Sequence, residues 1–184
     1  MNLIQVVVDA FEEKTQTFPI GMSKKQSSYV ESSSGVGRQI VLMLDFKKSD
    51  YFVDLGSGEG KFIQTIAGLS DCNFLGVEFS NSLHLESLSI NSKSPNKERI
   101  HFAEDDISNF MNHLPEFVQP SSIIIYLYLV EYQLEQSVLK KQLVDLIDGG
   151  ARMITYRHRL VGLEKWEYKH DEKFGIYIYW NKQN

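Results

Sequence analysis

Val53-Asp54-Leu55-Gly56-Ser57-Gly58-Glu59-Gly60-Lys61 is the stretch that decides the fold. Tyr51-Phe52-Val53-Asp54-Leu55 is a short apolar strand, and Phe62-Ile63-Gln64-Thr65-Ile66-Ala67 continues as a helix. Glycines between the two let the backbone turn sharply and approach a ligand closely. In an open α/β sheet, ligands bind beyond the carboxyl ends of the strands, near the topological switch point. The helix that follows is then expected to offer unpaired N–H groups to an anion. A dinucleotide fingerprint, G-x-G-x-x-G, would need Gly or Ala at position 61, and Lys61 stands there. The spacing present is D-x-G-x-G-x-G, with the three glycines one residue apart. A ligand-free glycine turn is the bland alternative, and the strand before and helix after it argue against that.

Outward from this stretch, strand and helix signals alternate. Val36, Ile40, Val41 and Leu44 form a helical pattern before it. Asn73-Phe74-Leu75-Gly76-Val77-Glu78 is a second strand, followed by a helix over about 82–91. Ile100-His101-Phe102-Ala103 makes a third strand and 121–129 a fourth. Leu134, Val138, Leu139 and Leu143 lie on a helix ending near Gly149-Gly150, and Arg152-Met153-Ile154-Thr155-Tyr156 is a fifth strand. This alternation implies a mostly parallel sheet covered on both faces. At 166–169 and 175–180 two aromatic β segments are separated by His170-Asp171-Glu172-Lys173, with no room for a helix. They predict an antiparallel hairpin at the sheet edge, giving seven strands in all.

The 184 residues suffice for one domain with a proper core. The expected organisation is an N-terminal helix and lead-in loop over 1–34 and a globular domain over 35–184. Leu3, Val7, Val8 and Phe11 share a helical face. Asp9, Glu12 and Glu13 interrupt the apolar run too early for a signal peptide, and no segment approaches a membrane span. A single cysteine, Cys72, reads as core filler and fits a reducing compartment, so the expected location is cytoplasmic. The formal net charge of -5 argues against a nucleic-acid partner, since phosphate backbones need a basic surface.

Glu78 ends the second strand about twenty residues after the glycines, where an acidic side chain can accept both hydroxyls of a ribose. Glu104-Asp105-Asp106-Ile107 follows the third strand, where a carboxylate can accept an adenine amino group while a backbone N–H meets the ring nitrogen. Three such elements at the ends of three consecutive strands form one pattern.

The glycine motif resembles motif I of class I methyltransferases that use S-adenosylmethionine (SAM), and the alternation resembles their Rossmann-like seven-stranded fold. The resemblance implies SAM as cofactor, S-adenosylhomocysteine as product, and a cofactor site comprising Tyr29, Asp54, Gly56, Ser57, Gly58, Gly60, Glu78, Asp106 and Ile107. Ile123-Ile124-Ile125-Tyr126-Leu127-Tyr128-Leu129 is similar to the T-L-Y-L-L segment of archaeal broad-specificity protein-lysine methyltransferases. Tyr29-Val30-Glu31-Ser32-Ser33 and Gly150-Ala151-Arg152-Met153-Ile154 resemble further segments of that family. Mitochondrial lysine methyltransferases look similar over the same span. Glu31 replaces the family's proline, Glu59 its usual aspartate, and Val130-Glu131-Tyr132 depart from it.

The resemblance implies methyl transfer to lysine side chains of a protein substrate. Tyr126 and Tyr128 are the candidate catalytic residues. Alternation along the strand is expected to turn only one of them to the site, and Tyr128, which aligns with the family tyrosine, is the choice. Glu31 reads as an exposed loop residue, and His158, after the fifth strand, as a surface histidine. A small-molecule acceptor is the alternative, less natural without an inserted lid. A non-catalytic SAM-binding scaffold is the third reading, against which the intact glycines and Glu78 stand.

Overall fold

A computed structural model describes residues 34–128, 137–160 and 163–182. The expected first helix, Tyr29 and Glu31 lie outside these residues, as do Leu129, Val130, Glu131, Tyr132 and Leu134. The described elements are α1 (Ser34–Met43), β1 (Tyr51–Leu55), α2 (Lys61–Ala67), β2 (Asn73–Glu78), α3 (Asn81–Ser92), β3 (Ile100–Glu104), β4 (Ile123–Tyr128), α4 (Ser137–Asp148), β5 (Arg152–Tyr156), β6 (Glu167–Asp171) and β7 (Ile176–Trp180). The seven strands form one sheet in the order β3-β2-β1-β4-β5-β7-β6. The first five are parallel, while β7 runs antiparallel to both β5 and β6. The order reverses between β1 and β4, which puts the topological switch beside the glycine turn.

The expected boundaries of β1, β2 and β5 are met residue for residue. Apolar residues on both faces explain the strand signal, and they bury two separate cores. One core holds Val53, Leu55, Val77, Ile125 and Leu127 against Leu139, Leu143 and Ile147 of α4. The other holds Phe52, Phe74, Ile124, Tyr126 and Ile154 against Val36 and Ile40 of α1 and Phe62, Ile63 and Ile66 of α2. Cys72 is buried in this second core, and burial pushes its thiol up to about 11, so it is filler, as expected.

Polar anchors fix the amino ends of the strands. Asp50 and Arg152 form a buried ion pair at 2.8 Å, and Arg152 also donates to the Asp45 carbonyl at 2.8 Å. Arg99 donates to the Ala67, Ser70 and Cys72 carbonyls, tying the end of α2 to the start of β2. For the buried Ala67 and Cys72 these contacts satisfy carbonyls that would otherwise be left unpaired.

The C-terminal hairpin is present, with one shift from expectation. Trp166 closes a short 3-10 turn rather than opening a strand; its indole N–H donates to Asp148 at 2.9 Å. β6 then runs on through His170 and Asp171, and the turn falls later, at 172–175. Gly175 supplies the positive φ (66°) that the turn requires. Among the described residues, no helix is long and apolar enough to cross a membrane.

Candidate cofactor and acceptor site

The parallel register brings the candidate residues to one face and one end of the sheet. Asp54 pairs with Gly76 on one side and Tyr126 on the other. Two residues further along, Glu78 pairs with Glu104, and Tyr128 pairs with Tyr156. Side chains two apart on a strand point the same way. Asp54, Glu78, Tyr128 and Tyr156 therefore share a face, the last three forming a row at the carboxyl ends.

Left-handed glycines build the turn after β1: Gly56, Gly58 and Gly60 have φ of 85°, 54° and 74°. Each serves a different purpose. A Cβ on Gly56 would meet nothing within 4 Å, so open space lies over the turn there. A Cβ on Gly60 would collide with the Phe102 ring, so this glycine lets α2 start hard against β3. Gly76 is equally constrained, with Phe102 and the Ser57 hydroxyl both within 2.7 Å of where a Cβ would stand.

The N–H groups of the turn itself are spent within the fold. Gly56 and Ser57 both donate to the Val77 carbonyl (2.9 and 3.1 Å), Gly60 donates to Ser57 (2.9 Å), and Gly58 donates to the Glu78 carboxylate (2.9 Å). For Gly56 and Ser57 the reason is the parallel ladder, in which the Val77 carbonyl continues to draw on the β1 chain after that strand has ended. What the turn offers a ligand is open backbone surface and side chains.

Those side chains are poised for a cationic, hydroxylated ligand. Asp54 is 4% exposed, and burial, reinforced by the charge of Glu78, pushes its carboxyl up to about 8. The Ser57 hydroxyl is buried with no hydrogen-bond partner among the described residues. Glu78 accepts from Gly58 through one oxygen and from Ser80 N–H through the other (2.8 Å), which orients the carboxylate and leaves lone pairs on both oxygens. Phe79, the next residue, is 62% exposed at the same mouth. Sequence reasoning passed over it, although an apolar residue directly after a strand-end acid is the signal.

At the end of β3, Asp106 caps the short 3-10 helix Ile107–His113, accepting from the Ser108 N–H (2.9 Å) and hydroxyl (2.7 Å). Ile107 is buried in the core. Asp105 accepts from Asp106 N–H, Asn109 and His113, and these bonds hold its carboxyl below the usual range. The Glu104 carboxylate takes the Asn81 amide at 2.7 Å.

On the proposed acceptor side, Tyr126 and Tyr128 do not alternate between faces as expected. They are two residues apart and so share a face; what separates them is depth. Tyr126 is 1% exposed, stacked on Phe62 (centroids 4.5 Å apart) and Phe52 (6.0 Å), and is a core residue. Tyr128 stands at the strand end, where its ring meets Tyr156 at 4.8 Å and 57°. Its hydroxyl is buried without a partner among the described residues, and burial pushes its pKa up. Sequence reasoning did not single out Tyr156, although it ends β5 as Tyr128 ends β4. His158 is exposed, as expected.

The fold has solved relatives. An RNA methyltransferase from Salinibacter ruber, in complex with S-adenosylhomocysteine, superposes with a TM-score of 0.59 at 19% identity, covering 82% of this chain and 92% of that one. A SAM-dependent O-methyltransferase from Thermotoga maritima superposes with a TM-score of 0.50 at 20% identity, covering 84% of this chain and 49% of that one. At these identities the likeness is one of fold. No curated protein matches in sequence. The family model described as histone methylation protein DOT1 matches residues 22–174, a span that takes in the glycine turn and both tyrosines. The chain belongs to this DOT1 histone methylation family and is a SAM-dependent methyltransferase of the class I fold.

Proposed function

We propose that this methyltransferase moves the methyl group of SAM to the side-chain amine of lysine in a protein substrate. The observation that carries the reading is the Tyr128–Tyr156 pair, an aromatic mouth in the same strand-end row as Glu78. A long, flexible amine can enter such a mouth from an extended partner, and the DOT1 description supports a protein as that partner. The likeness of β4 to archaeal and mitochondrial lysine methyltransferases adds to it.

The residues fit the cofactor. Open space over Gly56, the orphaned Ser57 hydroxyl and the Asp54 carboxyl suit the methionine end, with Gly58 and Gly60 shaping the turn. Glu78 would take the ribose hydroxyls, Asp106 and the Ile107 N–H the adenine edge, and Phe79 one face of the ring. Tyr29 joins this set on the family resemblance alone. When bound, SAM supplies a methyl group activated on a sulfonium.

The chain's own part is to orient the acceptor. An in-line displacement needs the amine lone pair held close to the methyl carbon. Lysine, whose free pKa is near 10.4, enters as a cation and gives its proton to solvent before transfer, which frees the lone pair. The unpartnered Tyr128 hydroxyl is placed to accept a hydrogen bond from the amine and fix its direction.

The test is transfer of label from methyl-tritiated SAM into a size-fractionated cell lysate. Label is expected in protein, recovered as methyl-lysine after hydrolysis. Glu78→Ala, which removes a charged acceptor, is expected to lower SAM affinity roughly 10- to 100-fold by calorimetry and to lose the label. Label confined to nucleic acid or small molecules would overturn the lysine reading.

A further inference from the structure

Arg157 follows β5 directly and adopts a left-handed conformation (φ 68°), the one positive φ among the described non-glycine residues. L-residues disfavour that region, and one held there against its preference often marks a functional position. The cause lies in the hairpin: Arg157 N–H donates to the Gly175 carbonyl at 2.7 Å, and the left-handed Gly175 packs against the Arg157 backbone. The consequence is directional. Instead of continuing the strand, the chain turns back, and the guanidinium carbon lies 5.6 Å from the Tyr128 ring centre and 5.3 Å from that of Tyr156. Both distances are within cation–π range.

The two tyrosines thus already hold a cation, and the Tyr128 hydroxyl beside it is buried with no partner among the described residues. Arg157 itself is exposed, so leaving the rings costs it no burial, and the hydrogen bond it gives up to Tyr156 is replaced by one to water. We propose that Tyr128 and Tyr156 form the recognition site for the acceptor's cationic side chain, and that Arg157 is its resident occupant, a built-in competitor that the acceptor displaces on entry. The proposal rests on the lysine reading for the identity of the acceptor. It makes Arg157 a specificity determinant. An acceptor without positive charge gains too little from the rings to displace the guanidinium, whereas an alkylammonium replaces one cation–π contact with another and also donates to the Tyr128 hydroxyl.

The experiment is a titration of n-butylammonium, which carries the end of a lysine side chain, into the full chain with 13C-labelled tyrosine rings. The readout is the shift of the Tyr128 and Tyr156 resonances. Losing a competitor held by an exposed cation–π contact predicts roughly two- to fivefold tighter binding for Arg157→Ala than for wild type. Arg157→Lys, which keeps a competing cation, is expected to bind as wild type does. Arg157→Gly suits the left-handed backbone and repeats the measurement if the alanine variant is unstable. Equal affinity in all variants, weaker binding after removal of the guanidinium, or no shift at either ring would overturn the proposal. Methyl label recovered away from lysine, with the titration behaving as expected, would remove the lysine reading and leave the displacement supported.

Discussion

The two halves of the sheet's carboxyl end are built on different principles. On the β1-β2-β3 side, backbone geometry makes the site: three left-handed glycines, four N–H groups spent within the fold, and a glutamate clamped by Gly58 and Ser80. On the β4-β5 side, side chains make it: two tyrosine rings in contact, a guanidinium over them and a hydroxyl without a partner among the described residues. A site shaped by backbone cannot change residue type without changing the fold. A site shaped by side chains can be retuned for another acceptor while the scaffold stands. That contrast matches a cofactor common to many methyltransferases and an acceptor that differs among them.

The sharpest way to break the comparison is to give the cofactor side a side chain where only backbone fits. Gly60→Ala combines a left-handed φ of 74° with a collision against the Phe102 ring. The expected cost is about 1–2 kcal/mol for the backbone and about 1–3 kcal/mol for overpacking. That is a large share of the roughly 5–15 kcal/mol a domain of this kind possesses. Denaturant midpoints should fall accordingly, and SAM binding should be lost with the turn. A variant of wild-type stability and SAM affinity would show that the turn is not held by its backbone.

A smaller effect sharpens the electrostatic side of the contrast. Asp54 has a folded pKa of about 8, above its unfolded value near 4. A carboxyl shifted this way favours the folded state below the unfolded pKa, and that contribution is lost as pH rises through about 8. Wild-type stability should therefore decline between about pH 4 and pH 8, while Asp54→Asn should show a flatter profile and be the more stable protein at pH 8. Binding of a cationic ligand beside Asp54 favours its ionised form. SAM binding near pH 7 should then release a proton, seen as a dependence of calorimetric heat on the ionisation enthalpy of the buffer, and affinity should rise with pH up to about 8. Asp54→Asn should bind more weakly and release no proton. The same proton release in both proteins would remove Asp54 from the site.

The same division explains what was legible in the sequence. The proposed cofactor side is local: Asp54, the glycines and Glu78 lie within one β-α-β unit, and their spacing carries the geometry. β1 and β2 accordingly begin and end where the residue pattern placed them. What the pattern hid was the disposition of the turn's N–H groups, because Val77, the residue that absorbs two of them, lies on the neighbouring strand. The acceptor side depends on contacts between distant segments. Tyr128 meets Tyr156 only through the β4-β5 register, and Arg157 reaches both only because Gly175, in the hairpin, turns the chain back. Strand periodicity was sufficient to place Tyr126 and Tyr128 on a common face, and counting two residues as an alternation obscured it. Their difference in depth needed the packing of Phe52 and Phe62 around Tyr126.

Tyr128→Phe isolates the acceptor side with the least disturbance of the fold. The Tyr128 hydroxyl is buried without a partner among the described residues, and such a group costs desolvation and returns nothing in the ligand-free protein. Its removal keeps the ring, its 4.8 Å contact with Tyr156 and the seat of Arg157. Thermal unfolding should therefore stay unchanged or rise slightly, by no more than about 1 kcal/mol in stability. SAM affinity should also stay unchanged, since Glu78 and the glycine turn are intact. Methyl transfer should nevertheless fall roughly tenfold, the loss of one hydrogen bond that orients the amine in the transition state. The decrease should appear in kcat and kcat/KM together, because the bond matters most when the lone pair must point at the methyl carbon. A drop in stability would mean that the hydroxyl has a partner in the folded protein. An unchanged rate would mean that Tyr128 contributes only its ring, and orientation of the amine would pass to another group at the mouth.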